Sequence, residues 1–509
     1  MIRIKFYDIC NTFIHQKTNG STTIMKQLIF FITLILIGVS TQAQTKKWTL
    51  RECVAHALEN NISIKQSELD KELAEIEKSD ALGNFLPSLN GSASNSWNTG
   101  LTQNITTGVL ENQTSRNSSY SVTLGVTVFQ GLRNHRVLQR AKISQLASDY
   151  GLSKMKDDIS LFVANAFLQV LTNKANLEVL QSQNNVTQEQ IQRTMDLVEA
   201  GVLPRGDLLE IQATDATEKQ NIAVTENAVK ISLISLAQLL LIEDYENFDI
   251  QDEGYEIIDE GITAKDISEI LTTAKENRSE IKIAKSNLEL AEKDYQISKS
   301  AYMPTLNAFI NYNTRESDRA SGIETIIDQD NPVILTEEPL GVVGSTGESV
   351  FGFQPNILSL RELDPLPFTE QLYLNDGISY GFQLNVPIFN GFSTRNSVKR
   401  SKINIKRQEI LLSQATLDLE STIYQAYVDA KGAYKSFEAA QKALESQELA
   451  YQYAKDRYDV GLTNAFDFSQ SKVRYDNAKI EENRAKYDYI FKLKVLELYF
   501  GIPATELKF

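Results

Sequence analysis

Four stretches of the chain alternate apolar and polar residues with period two. From 120, Tyr120, Val122, Leu124, Val126 and Val128 share one side, and Ser121, Thr123, Gly125 and Thr127 the other. From 378, Ile378, Tyr380, Phe382, Leu384, Val386 and Ile388 oppose Ser379, Gly381, Gln383 and Asn385. Two weaker stretches set Leu89, Ala93 and Trp97 against Asn90, Ser92, Ser94 and Ser96, and Leu306, Ala308, Ile310 and Tyr312 against Asn307 and Asn311. Such alternation predicts β-strands with one apolar face. Elsewhere the apolar spacing is helical, as in Leu69, Leu73 and Ile76, or Ile159, Phe162, Val163, Ala166 and Val170. No proline falls in 88–203, 205–303 or 388–502, and the bulk of these Ala-, Leu-, Glu-, Lys- and Gln-rich stretches reads as helix.

In the first half the pattern predicts a helix over 49–84, a strand pair over 85–97 and 119–129, a very long helix over 133–200 and a return helix over 207–241. At about 1.5 Å per residue the long helix spans on the order of 100 Å. The two shorter helices have nearly the same combined residue count, so end to end they suit a second column beside it. A tube wall or a coiled coil explains such a helix; a globular core does not.

The chain is written twice. At an offset of 217, Ala57, Glu59, Asn60, Ile64 and Lys65 fall on Ala274, Glu276, Asn277, Ile281 and Lys282, and Pro87, Leu89 and Asn90 on Pro304, Leu306 and Asn307. At 260, Tyr120, Leu124, Val126, Phe129 and Gly131 fall on Tyr380, Leu384, Val386, Phe389 and Gly391, and Asp196, Gly201 and Asp207 on Asp456, Gly461 and Asp467. The change of offset marks an insertion in the second half, a loop at about 313–376 that holds prolines 332, 339, 355, 365 and 367 and a glycine-rich run at 340–352. Three parts are expected: an upstream segment at 1–44, a first repeat at 45–262 and a second at 263–509.

The upstream segment carries a secretory signal. Met25-Lys26-Gln27 precedes an apolar run from Leu28 to Val39 and a small-residue site ending at Ala43, which makes Met25 the expected start. The apolar run is too short to span a bilayer comfortably. An exported chain can place its strands in the outer membrane, and four segments of roughly 9–12 residues have the length and alternation of transmembrane strands. A soluble sandwich alternates in the same way, but it does not explain the signal or the long helices. Trp97, Tyr120, Tyr312 and Tyr380 are expected at the strand ends far from the helices, as an aromatic girdle. Four strands cannot close a barrel, and an open edge in lipid leaves backbone groups unsatisfied. Two copies would make an eight-stranded barrel filled by side chains, whereas three make twelve strands with room for a lumen. A homotrimer is expected.

Composition narrows the chemistry. A net charge of −15 over 509 residues argues against a nucleic-acid binder. Two cysteines, and histidines only at 15, 56 and 135, leave little for a disulfide framework, a metal site or a His-based triad. Without a nucleophile-elbow, zinc-protease or phosphate-loop motif, no enzyme, cofactor or metal is expected.

At the tips of the long helices stand Val198-Glu199-Ala200-Gly201-Val202-Leu203 with Asp207, and Tyr458-Asp459-Val460-Gly461-Leu462-Thr463 with Asp467. With the repeat and the signal, this duplicated motif resembles the TolC family of outer-membrane efflux channels over essentially all of 46–503. The resemblance implies a mainly α protein with a membrane β-barrel part. Long antiparallel helices would form a periplasmic α-barrel, and four transmembrane strands per protomer would give a twelve-stranded barrel in a trimer. It implies export of small molecules across the outer membrane with a periplasmic adaptor and an inner-membrane transporter. The outer-membrane component of a type I protein secretion system is the alternative within this class, and a non-conducting periplasmic coiled-coil scaffold the alternative outside it. It further implies that Gly201, Val202, Leu203, Gly461, Leu462 and Thr463 contact the adaptor. A gate would use Asp467, an Asp207–Tyr458 link, and Gln470 where the family has a second aspartate. Asp207 and Asp467 also suit a plainer role as helix N-caps.

Overall fold

The computed structural model describes residues 46–103, 109–255, 257, 265–319 and 322–502; the expected signal segment and the junction of the repeats at 262–263 lie outside these. In chain order the first half contains β1 (Lys47–Trp48), α1 (Leu50–Asn60), α2 (Ile62–Gly83), β2 (Ser88–Gln103), β3 (Leu110–Gln130), α3 (Arg133–Glu199), α4 (Arg205–Leu240) and β4 (Asp249–Ile250). The second half opens with α5 (Ile267–Asn277), α6 (Ser279–Ser300) and β5 (Thr305–Ser317). Six short strands follow: β6 (Gly322–Ile327), β7 (Val333–Leu335), β8 (Gly341–Val342), β9 (Ser349–Val350), β10 (Phe353–Pro355) and β11 (Ile357–Leu363). The chain then forms α7 (Phe368–Leu374), β12 (Gly377–Asn385), α8 (Ser393–Asp459) and α9 (Ala465–Phe500). The repeat is visible in the helix lengths, which are 11, 22, 67 and 36 residues in each half.

The helix expected over 49–84 is two helices. Thr49 opens α1 with a capping box, its hydroxyl accepting from the Glu52 N–H at 3.2 Å while Glu52 accepts from the Thr49 N–H at 3.1 Å. Asn61 then breaks the run with an extended backbone, its side chain accepting from the Ser63 N–H at 2.9 Å and donating to the Leu239 carbonyl at 3.3 Å. The backbone between sheet and long helix is the same in both halves. Gly131-Leu132 and Gly391-Phe392 all have φ between +57° and +65°. Gly131 is further constrained, because an added Cβ would lie 2.6 Å from Cβ of Met303 and 3.0 Å from the Ser300 carbonyl oxygen.

The chain forms two compact units, each drawing on both repeats. The first comprises the described parts of 1–65, 155–274 and 422–509. Its core includes Cys53 and Ala57 of α1, Val163, Phe167 and Leu171 of α3, Leu236 and Leu240 of α4, and Ile490 and Leu493 of α9. Burial pushes the Cys53 thiol up to about 12, so it is an inert core residue. β1 and β4 pair in parallel, tied down by the ion pair of Lys174 with Asp249.

The second unit, 66–154 and 275–421, carries a four-stranded antiparallel sheet in the order β12-β5-β3-β2, which leaves β12 and β2 as open edges. Register aligns Leu89, Leu124, Ile310 and Tyr380 in one row, and Val122, Tyr312 and Ile378 in another. These side chains form one apolar face that remains exposed, with Phe382 at 74% and Leu384 at 63%. The opposite face carries a polar ladder, with Ser92 to Ser121 at 2.8 Å and Ser94 to Ser119 at 2.7 Å, while the 2.9 Å Thr99 to Thr114 pair continues the first face beyond Trp97.

Two expectations require correction. β2 and β3 are longer than the sequence pattern suggests, 16 and 21 residues, because serine, threonine and asparagine rungs continue the ladder beyond the apolar alternation. Trp97 and Tyr120 therefore fall within their strands and not at the ends. By register Trp97 faces Arg116, Tyr120 faces Ala93 and Thr314, Tyr312 faces Val122 and Ile378, and Tyr380 faces Ile310. The four aromatics thus cross the sheet as a staircase and not along one row. The inserted loop is also more ordered than its glycine content suggests. β6–β11, β7–β10 and β8–β9 pair in nested antiparallel fashion, making one long hairpin arm with its turn at 343–348. After the arm, α7 returns to the sheet, where Gln371 exchanges two 2.9 Å hydrogen bonds with the Ser317 backbone and Phe368 meets Tyr120 edge to face.

If the apolar face meets lipid, Leu384→Arg will lower the stability of the membrane-inserted protein by on the order of 2–4 kcal/mol, while Ser379→Arg on the polar face will cost far less. Denaturant titration of the protein folded into lipid vesicles measures both.

Candidate functional site

Within the first unit the two long helices reverse at matching turns, and most sequence-predicted site residues lie there. Both turns are Schellman motifs. Val202 and Gly201 donate to the carbonyls of Leu197 and Val198 at 2.9 and 3.0 Å; Leu462 and Gly461 donate to those of Arg457 and Tyr458 at 2.8 and 3.0 Å. The motif needs a left-handed residue at its fifth position, and Gly201 and Gly461 supply φ of +74° and +75°. Past each glycine the turn exposes apolar side chains, Val202 at 66% and Leu462 at 70%.

Neither aspartate is an N-cap. The caps are Pro204, which has no side-chain bond to offer, and Asn464, whose side chain accepts from the Asp467 N–H at 2.8 Å. Asp207 and Asp467 occupy the third position of α4 and α9, where a carboxylate is favoured by the free N–H groups and dipole of the helix start. Asp467 is exposed and receives only a 3.4 Å contact from the Thr463 hydroxyl. Gln470, one turn on, is likewise exposed and accepts from Arg474 at 2.5 Å.

Tyr458 is buried and fixed on both sides of its ring. It stacks on Phe468 at 4.9 Å between centroids, packed with Ile211 and Ala465, and its hydroxyl shares a 2.9 Å hydrogen bond with the buried Thr194. No hydrogen bond joins Tyr458 to Asp207 among the described residues; Asp207 acts on it through charge alone. Burial raises the phenol above its usual range, and Asp207 adds to the effect. Beside this contact Arg193 binds Asp459 through its carboxylate at 2.7 Å and its carbonyl at 3.2 Å, tying the long helix of one repeat to that of the other.

A charged network lies deeper between α3, α4 and α9. The ammonium of Lys472, 2% exposed, reaches Glu218 at 2.5 Å, the Thr187 hydroxyl at 2.7 Å and Asp476 at 3.8 Å, and Glu218 also accepts from Asn184 at 3.0 Å. One Asp476 oxygen has no hydrogen-bond partner. Burial drives the Asp476 carboxyl up to about 7 against the pull of Lys472, and the Glu218 charge adds to the rise. Thr194, Arg193 and the Lys472 network escape sequence comparison because they differ between repeats: at the offset of 260, Arg193 falls on Tyr453, Thr194 on Ala454, Glu218 on Ala478 and Asp476 on Ala216. Nothing here gathers three or more metal-ligating side chains among the described residues.

Residues 54–240 and 373–501 match the profile of the outer membrane efflux protein family. The chain belongs to this family. As an outer membrane efflux protein it shares its fold with solved channels. The CmeC outer membrane channel of Campylobacter jejuni is 17% identical with a TM-score of 0.67, over 90% of this chain and 85% of that one. The outer membrane protein VceC of Vibrio cholerae is 13% identical with a TM-score of 0.66, over 89% and 96%. The open-state MtrE outer membrane channel of Neisseria gonorrhoeae is 17% identical with a TM-score of 0.63, over 89% and 88%. In sequence, Protein CyaE of Bordetella pertussis is 26% identical over 102 residues, which span 20% of this chain and 22% of that protein. The chain is thus an outer membrane efflux protein with the long-helix part and strand part of the fold that these channels share.

Two outcomes follow, one for the turns and one for the charged network. Gly461→Ala forces a side chain into the left-handed region at roughly 1 kcal/mol, so the Leu462 amide should exchange its hydrogen several-fold faster. Folded Asp476 keeps its proton up to about pH 7, whereas the unfolded chain loses it near the ordinary carboxylate value. Stability of the network is therefore greatest on the acid side, falls as pH rises from ~4 to ~7 and then levels. Hydrogen exchange at 184–187 and 472–476, corrected for intrinsic rate, should show that slope in the native chain and lose it in Asp476→Asn.

Proposed function

We propose that three copies of this chain close a twelve-stranded barrel in the outer membrane and carry small toxic molecules outward, received from an inner-membrane transporter through a periplasmic adaptor. The observation that carries the reading is the four-stranded sheet with two open edges, one face apolar along the rows nearest the helices and one face mainly polar. Lipid takes the first face and a watery lumen the second, and neighbouring copies supply the missing edge partners. Serine, threonine and asparagine make up most of the lumen face, with Arg315 beside Ser119 as a charge on it, so the face offers little charge selection and cargo choice falls to the transporter. Trp97, Tyr120, Tyr312 and Tyr380 then act as interfacial anchors, since a line of constant height in a tilted barrel crosses the hydrogen-bonded rows at a slant.

The helix turns form the periplasmic end. Gly201, Val202 and Leu203 with Gly461, Leu462 and Thr463 present the exposed apolar surface that an adaptor would cover. Asp467 and Gln470 face the threefold axis, where three carboxylates attract cations. The tether holding this end closed within a protomer is Tyr458–Thr194 with Arg193–Asp459, in place of the implied Asp207–Tyr458 link.

Deleting the gene should raise sensitivity to dyes, detergents or antibiotics, and the full-length gene should restore resistance; unchanged sensitivity across such a panel would contradict small-molecule export. In planar bilayers Asp467→Ala should reduce block by multivalent cations several-fold. Unaltered current and block would remove Asp467 from the pore.

A further inference from the structure

One short helix stands on the apolar face of the sheet. α7, Phe368–Leu374, follows Pro365 and Pro367 and turns Phe368, Gln371, Leu372 and its C-cap Asn375 to one side, the i, i+3, i+4, i+7 spacing of a single helix face. That side is bound to the two inner strands. The Leu372 carbonyl accepts from the Thr314 hydroxyl at 2.7 Å, and the Asn375 amide donates to the Arg315 carbonyl at 3.0 Å. Gln371 holds the Ser317 backbone, and Phe368 meets Tyr120. By register Thr314 and Tyr120 belong to the same face as Ile310, Tyr312, Leu124 and Val122. The helix therefore lies on the side assigned to lipid, not on the side of the lumen.

α7 also sits at a definite height. On β5 the apolar positions of this face are Leu306, Ala308, Ile310 and Tyr312, and the next, Thr314, carries the helix. From Leu306 to Thr314 the strand advances about 27 Å. At a strand tilt of roughly 35–45° this is about 20 Å of height, and the helix adds about 10 Å of its own width, so α7 straddles the end of an apolar band about 25 Å tall. Charge begins at the same level. Counted from the long helices, the first charged side chains on this face are Glu316 and Arg116, an ion pair in the rows just beyond Thr314.

The side of α7 turned from the sheet presents Tyr373, 80% exposed, and Leu374, 65% exposed, beside the exposed Glu370. An aromatic hydroxyl, an aliphatic chain and a carboxylate together suit the headgroup boundary, where one end of a side chain is apolar and the other wet. A neighbouring copy is the poorer occupant, because copies would meet at β12 and β2, whereas α7 is fixed over β5 and β3.

We propose that α7 is an interfacial anchor, held against the outside of the barrel at the outer limit of the hydrocarbon, with Tyr373 and Leu374 in the headgroup boundary. The occupant of its uncovered side is a lipid surface. The contact fixes how deeply the sheet is immersed and keeps the hairpin arm, which enters α7 through Pro365 and Pro367, on the aqueous side. This inference rests on the lipid-facing reading of the sheet, and its test separates the two.

Tyr373→Cys and Leu384→Cys are made separately in the full chain, recovered from the outer-membrane fraction, labelled with a nitroxide and returned to phosphatidylcholine vesicles. Cys53, 0% exposed, stays unlabelled. Collision with oxygen relative to a water-soluble nickel chelate reports depth, calibrated with spin-labelled lipids. The anchor predicts a Leu384 label in the acyl core and a Tyr373 label at the boundary, its collision ratio several-fold below that at Leu384 and several-fold above that of a label in water. Leu384 deep with Tyr373 in water, or as deep as Leu384, overturns the anchor and leaves the lipid-facing sheet intact. Tyr373 at the boundary with Leu384 in water upholds the helix contact and contradicts the sheet reading, and both labels in water overturn both. Leu374→Cys, with the same expectations, replaces Tyr373→Cys if that variant fails to assemble.

Discussion

A strand edge exposed to hydrocarbon leaves alternate N–H and C=O groups facing a solvent that can neither accept nor donate, at several kcal/mol for each group. This chain carries two such edges on a sheet whose apolar face is already bare. Either the sheet stays in water with Leu384, Phe382 and Tyr380 uncovered, or it enters lipid with β12 and β2 unpaired. Both difficulties disappear together when copies supply one another's edges and lipid covers the face. The polar ladder then turns inward on its own, since successive residues of a strand point to opposite sides.

The helical part answers a different constraint. Two 67-residue helices must reverse without exposing unpaired carbonyls, and the Schellman turns at Gly201 and Gly461 do so with backbone bonds alone. Around those equivalent turns the repeats have diverged. Tyr458, Arg193, Thr194 and Lys472 sit where the other repeat has a residue of different character, so the paired helices are held by contacts that neither half contains by itself. The buried Lys472 places a positive charge between Glu218 and Asp476, and removing any one partner would strand the others in a poorly solvated interior.

Much of this is legible in the sequence because the signals are local. Period two marks the faces of β3 and β12, and freedom from proline with helical spacing marks α3 to within a residue or two. The single-residue break at Asn61 is not legible, since asparagine tolerates a helix and only its bond to Leu239 reveals the cap. The arm escapes because strands of two or three residues carry too little alternation to register. Its glycines suggest disorder, although Gly347 serves the turn and Gly352 makes room for Leu340. The tether of Arg193 to Asp459 joins residues 266 apart, and no periodicity reports on such a pair. Comparing the repeats favours what they share, which brings Asp207 and Asp467 forward and leaves the diverged contacts unseen.

The central claim is that this sheet is complete only as part of a ring of copies. Native mass measurement of the detergent-extracted particle, with projection images of the same sample, tests it most directly. The account predicts a mass of three chains and a threefold image with an open centre; a folded, stable particle of one chain would contradict it.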